Sequence, residues 1–165
     1  MSSPTPQPYG PNAAPSNGPS TIDRTAAAAL QDALGAEHAA LWSYSLILAF
    51  LPGDQLAQAR ADEEAHRVLR GAVEQTLVQI GTRPISAQPA YATPKPVTDG
   101  VSAAALAVVA ETDAMTAWRS VLEHTTDRGL RQAALNALTE STLRCAHWRV
   151  VVNTPPAIPT FPGQP

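Results

Sequence analysis

Three long stretches of this chain, 20–51, 53–83 and 97–154, contain no proline, although the 165 residues include 16 of them. Proline removes a backbone donor and clashes with the preceding turn, at a cost to a helix interior of roughly 3 kcal/mol or more. Long helices can therefore form in those stretches and are blocked between them. Six prolines lie before residue 20, one is Pro52, four lie between Pro84 and Pro96, and five lie from Pro155 onward. The proline-free interiors are rich in alanine, the strongest helix former, and no run alternates with a strand's period of two. Hydrophobic residues make up 44% of the chain and charged ones 15%, which excludes a disordered, highly charged protein. A net charge of −3 argues against a nucleic-acid surface.

The punctuation predicts four helices, at about 23–51, 54–80, 101–126 and 130–152. Pro52-Gly53 ends the first, Asp54 is the expected N-cap of the second, Gly81 ends it, and Asp127-Arg128-Gly129 forms the last turn. Residues 1–20 read as a disordered Pro-rich tail and 153–165 as an extended one whose Ile158 and Phe161 suit a path along the surface. Helices one and two, and three and four, are joined so tightly that each pair must be an antiparallel hairpin. Segment 81–100 differs. As extended polyproline-like chain it reaches ~50 Å or more, beyond the ~39 Å length of the second helix. The expected fold is an all-α, antiparallel four-helix bundle with one long crossover between helices two and three, the ferritin-like arrangement.

Cys145 is the sole cysteine, which excludes an internal disulfide and a cysteine-based zinc site. No leader has a basic start and an apolar middle, and no apolar run approaches the roughly 18 residues of a membrane span. A cytoplasmic protein without a membrane or nucleic-acid partner is expected, as a homo-oligomer, most simply a dimer. No small-molecule substrate is identifiable.

Two apolar seams each carry one carboxylate. Leu30, Leu34, Glu37, Leu41, Tyr44, Leu48 and Leu51 follow a 4-3 spacing, and so do Val101, Ala104, Val108, Glu111, Met115, Trp118 and Leu122. A buried carboxylate is costly unless paired or coordinated. The segments also align with each other, Ala36-Glu37-x-x-Ala40-Leu41-x-x-Tyr44 on Ala110-Glu111-x-x-Ala114-Met115-x-x-Trp118, as from duplication of a helical hairpin. On the second helix, Asp62 and His66 fall within the apolar face, Glu63 at its edge and Glu64 outside it. Counted from the first turn, Glu37 and His66 stand at nearly the same height, and counted from the last turn so do Glu111 and Arg144.

Glu37, Glu63-x-x-His66 and Glu111 resemble the ligand set of ferritin-like di-iron carboxylate proteins. The fourth helix departs from it, with Arg144-x-x-His147 where that set has glutamate and histidine. A permanent positive charge there would repel a second metal ion. The helical region as a whole resembles an uncharacterised alanine-rich ferritin-like family of actinomycete bacteria. Glu37-His38-x-Ala40 with Tyr44, His66-Arg67-x-x-Arg70, Tyr91-x-x-Pro94, Glu111, Arg144 and Trp148-Arg149 carry that resemblance. It implies the fold and no particular reaction.

Two readings of the centre follow. In the first, Glu37, His66, Glu111 and Arg144 form an ion-pair network in a metal-poor or metal-free, mainly structural bundle. In the alternative, Glu37, His66, Glu111 and either Asp62 or Glu63 bind iron or manganese for oxidoreductase or iron-handling chemistry. Asp62, Arg144, His147 and Tyr44 are the expected surrounding or ion-pairing residues. Whether the protein is an enzyme stays open at this point.

Overall fold

The computed structural model describes residues 22–164, so the proline-rich start of the chain, 1–20, lies outside the described residues. Four helices make up the fold: α1 (Arg24–Phe50), α2 (Gly53–Gln79), α3 (Gly100–His124) and α4 (Arg128–Val151). Among the described residues there is no strand.

Aspartates begin three of the helices. Asp23 caps α1 through Ala26, Asp127 caps α4 through Leu130, and Asp99 with Ser102 forms a reciprocal capping box on α3. The second helix starts differently from the expectation. Pro52 occupies its N-cap without a side-chain bond, and Asp54 lies in the first turn, where its charge complements the helix dipole. At the far end of α2, Gly81 takes φ +75° and Thr82 N–H donates back to Leu77 O at 2.8 Å. Asn153 ends α4 in the same way, with φ 51° and Thr154 N–H on Arg149 O at 2.8 Å.

The path of the 81–99 segment fixes the topology. Gln31 holds its start with two bonds, donating to Arg83 O at 2.7 Å and accepting from Ile85 N–H at 3.0 Å. His38 donates to Ile85 O at 3.3 Å, and Trp42 packs on Tyr91 with ring centroids 6.0 Å apart. Gly100 then arrives beside Pro52 and the carbonyl of Phe50. The connection thus climbs α1 from its first turns to its last. It returns α3 to the end where α1 stops and α2 begins, so α3 runs antiparallel to α1. Helix α1 packs on α2 and α3, and α3 packs on α4.

Small side chains let the helices approach closely. Two apolar clusters fill the interior. One holds Leu30, Leu34, Val73, Leu77, Trp118 and Val121, and the other holds Tyr44, Ile47, Leu51, Ala103, Ala107 and Trp148. A polar layer separates them. Beyond α4 the chain folds back, with Arg149 Nε donating to Pro156 O at 2.8 Å and Arg119 Nη1 to Pro162 O at 3.4 Å. No helix among the described residues is long and apolar enough to cross a membrane.

Candidate functional site

Glu37, His66 and Glu111 are fully buried in the polar layer, and Asp62 and Arg144 nearly so. His66 lies between the two glutamates. Its Nδ1 donates to Glu37 Oε2 at 2.7 Å and its Nε2 to Glu111 Oε1 at 3.0 Å. Two carboxylate acceptors on one ring require a proton on each nitrogen, which is the imidazolium form. Burial opposes that charge, but the bonds to Glu111 and Glu37 and their charges outweigh it and push the pKa from 6.5 up to about 9.

Helix α4 supplies the second cation. Arg144 Nε donates to both Glu111 oxygens, at 3.0 and 3.1 Å, and its Nη2 donates to Ser141 Oγ at 2.9 Å. Burial disfavours the guanidinium charge, yet the Glu111 charge and bond hold its pKa above the usual value. The effect on Glu111 is reciprocal. Burial would raise its carboxyl, but His66, Arg144 and the Tyr44 hydroxyl hold it below the ordinary range.

Aromatic side chains close the network, and they do so symmetrically. Tyr44 Oη donates to Glu111 Oε1 at 2.7 Å, and Trp118 Nε1 donates to Glu37 Oε1 at 2.7 Å. Each donor lies seven residues beyond the glutamate of its own helix and serves the glutamate of the other. Both pairs belong to a single antiparallel register, because seven steps along α1 are matched by seven steps back along α3. The imidazole of His66 bridges the two glutamates. Burial, then the charges of Glu111 and Asp62, keep the Tyr44 phenol well above its usual 10.0.

Asp62 is the third carboxylate. Trp148 Nε1 donates to its Oδ2 at 2.8 Å and to Tyr44 Oη at 3.0 Å, and Gln58 Nε2 donates to its Oδ1 at 2.8 Å. Burial lifts its pKa from 3.8, and the Gln58 and Trp148 bonds offset only part of that.

Of the residues singled out from the sequence, Glu37, Asp62, His66, Glu111, Arg144 and Tyr44 therefore converge. Glu63 and His147 do not. Glu63 turns outward to Arg67 Nη2 at 3.0 Å, because the α2 carboxylate on the inward face with His66 is four residues back, not three. His147 is exposed and meets only the edge of Trp148, with centroids 4.9 Å apart. The indoles of Trp118 and Trp148 were not anticipated as donors. The available signal was that a buried Trp N–H needs an acceptor.

The donor set does not fit a metal ion. A metal requires a deprotonated ring nitrogen, and both nitrogens of His66 are committed to carboxylates, while Arg144 occupies the oxygens of Glu111. Among the described residues no group of three or more His, Cys, Asp and Glu is arranged to hold a cation.

A crystal structure of a conserved hypothetical protein, rv2844, from Mycobacterium tuberculosis is similar to this chain at 35% sequence identity and a TM-score of 0.76. The match covers 78% of this chain and 98% of that one. No curated protein matches the chain. The model of a domain of unknown function, DUF4439, matches residues 29–165, and the chain belongs to that family.

Proposed function

We propose that this protein is a ferritin-like bundle whose former metal position has become an ion-pair network, and that it works through metal-independent binding or association. One observation carries the reading: His66 places both ring nitrogens on carboxylates while Arg144 holds the oxygens of Glu111. The full-length crossover and the paired glutamates on α1 and α3 support the ferritin-like part. A structural role for Glu37, His66, Glu111 and Arg144 follows from the same bonds, with Asp62 and Tyr44 completing their partners.

The association part draws on the surface. Leu135, Leu143 and Val150 are exposed along α4, which suits a homodimer. The lone cysteine, Cys145, is free and buried, as suits a reducing cytoplasmic setting.

Elemental analysis after expression in iron- and manganese-supplemented medium tests the metal-independent reading. The expected result is less than about a tenth of an equivalent of metal and a Tm that Fe(II) and Mn(II) do not raise, since a ligand that binds only the folded state must stabilise it. Stoichiometric iron or manganese, lost in Glu37→Gln, would establish the alternative of a metal-binding oxidoreductase or iron-handling protein.

A further inference from the structure

Helix α4 is apolar on two faces. Ala134, Ala137, Ser141, Cys145 and Trp148 turn inward and are buried. Leu135, Thr139, Leu143, Ala146 and Val150 form a second row along the same helix. At about 100° per residue that row fills an arc of about 80°, centred about 160° from the buried one. Leu135, Leu143 and Val150 are 48%, 54% and 66% exposed. One apolar stripe is enough to seat a helix on its own bundle. The outer stripe of α4 serves no contact of that kind, because it faces solvent.

The C-terminal segment widens this surface. Arg149 Nε holds Pro156 O at 2.8 Å, and Gly163 packs against the carbonyl of Met115, whose sulfur accepts from the Thr142 hydroxyl at 3.3 Å. Arg149 and Thr142 border the outer stripe on the helix wheel, so the segment returns along that border. Its Ile158 and Phe161 are 54% and 63% exposed. A standard interface covers about 800 Å² on each partner. The segment supplies width that a single helical stripe lacks.

The stripe complements itself. In an antiparallel pair of α4 helices, with a two-fold axis passing between Leu143 and Ala146, each Leu143 faces the partner's Ala146 and each Val150 the partner's Thr139. Every larger side chain then meets a smaller one. Glu140 and His147 line one edge of the stripe. Both are exposed, and neither has an ion-pair partner among the described residues. The pairing brings Glu140 to within about 3 Å, along the helix axis, of the partner's His147. A ring N–H donates to a carboxylate whether the imidazole is neutral or charged. The two-fold axis makes this contact twice. A parallel pair would instead set Glu140 against Glu140, which is unfavourable.

We infer that the outer face of α4, widened by Ile158 and Phe161, docks antiparallel on the same face of a second copy of this chain. The inference rests on the association part of the proposed function and specifies its partner; it does not depend on whether the bundle centre holds metal.

Sedimentation velocity of the full chain, over roughly 1 to 200 µM, tests it, with circular dichroism to verify that each variant is folded. The expected result is a rise in mass from 17.3 kDa to twice that value. Leu143→Glu stays monomeric throughout. Val68→Glu, on the outer face of α2, dimerises like the parent. Glu140→Lys and His147→Glu each weaken the dimer roughly tenfold, a loss of about 1.4 kcal/mol, and the two together restore it by exchanging the charges. A dimer that survives Leu143→Glu, or that Val68→Glu breaks equally well, overturns the inference and leaves the association reading standing. A double exchange that restores nothing overturns the antiparallel alignment. A parent chain that is still monomeric at about 200 µM overturns both the inference and the homodimer.

Discussion

Raising the pH from 6 to 9 should loosen the bundle centre. His66 titrates at about 9 in the folded protein against 6.5 ordinarily. At about 1.4 kcal/mol per pH unit, that difference amounts to about 3 kcal/mol of folding stability. The sign follows from which state holds the proton. Folded protein keeps it between pH 6.5 and 9, while unfolded chain releases it, so the contribution is complete below 6.5 and lost as pH rises through 9. Neighbouring groups act in other windows. Glu111, held low mainly by His66 and Arg144 against its burial, contributes stability that is lost only on acidification. Asp62, raised by burial, favours the folded state in acid, and its contribution starts to fade above 3.8. Burial raises the Cys145 thiol from 9.0 and the Tyr44 phenol from 10.0, so their losses begin at and above those values. Urea unfolding followed by Trp fluorescence at about pH 6, 7.5 and 9 should therefore show a fall of about 3 kcal/mol, out of the 5–15 kcal/mol typical of a domain. Constant stability across that range would refute the doubly bonded imidazolium. A ring titration of His66 near 6.5 by NMR would do the same.

Other perturbations probe the network piece by piece. Glu111→Ala should cost about 3–5 kcal/mol in urea unfolding, because it leaves the Arg144 charge buried without its carboxylate; Arg144→Ala should cost less, because Glu111 keeps His66 and Tyr44, and a double-mutant cycle should show coupling of about 0.5–3 kcal/mol. Trp118→Phe should cost about 1–3 kcal/mol by removing the donor to Glu37 Oε1, measured by thermal or urea unfolding. Replacing Glu37, His66, Glu111 and Arg144 together by leucine or methionine should preserve or raise the Tm and abolish the alkaline stability loss. Gly163→Ala should release the C-terminal segment, because a Cβ there would lie 2.6 Å from Met115 O at a backbone φ of +76°. Limited proteolysis should then trim the C-terminus faster than in the parent.

The proline map made the four helices and the crossover legible, because proline acts locally and almost without exception inside a helix. The seams made Glu37 and Glu111 legible for a similar reason: one carboxylate in an apolar stripe violates the pattern wherever the partner helix lies. Choosing between Asp62 and Glu63 was harder. Residues three and four before His66 straddle it on the helix wheel; the wheel favours Asp62 over Glu63, and the Trp148 indole on α4 supplies the donor that holds Asp62 inside. The indoles were hidden for another reason. Trp118 satisfies an apolar seam as a side chain, so its N–H is invisible to a hydrophobicity pattern. The relative height of Glu37 and Glu111 depends on the α1–α3 register, which no local signal in either helix encodes.

That register needs a determinant. Many of the buried side chains along it are small: Ala26, Ala29 and Ala33 of α1 cluster with Ala114, Trp118 and Val121 of α3, and Ala40 clusters with Ala103, Ala107 and Ala110. Small side chains form shallow ridges and resist sliding less than large ones. The polar layer does not tolerate it. A shift of about 5.4 Å, one turn, would carry Tyr44 from Glu111 and Trp118 from Glu37 at once, because both bonds share one register. The two buried donors would then lack acceptors, at roughly 1–3 kcal/mol each, and each glutamate would lose one of its donors. His66 could no longer span both glutamates. A network of nearly neutral net worth thus penalises every alternative alignment far more than it stabilises the native one. In an alanine-rich bundle this difference selects a single packing.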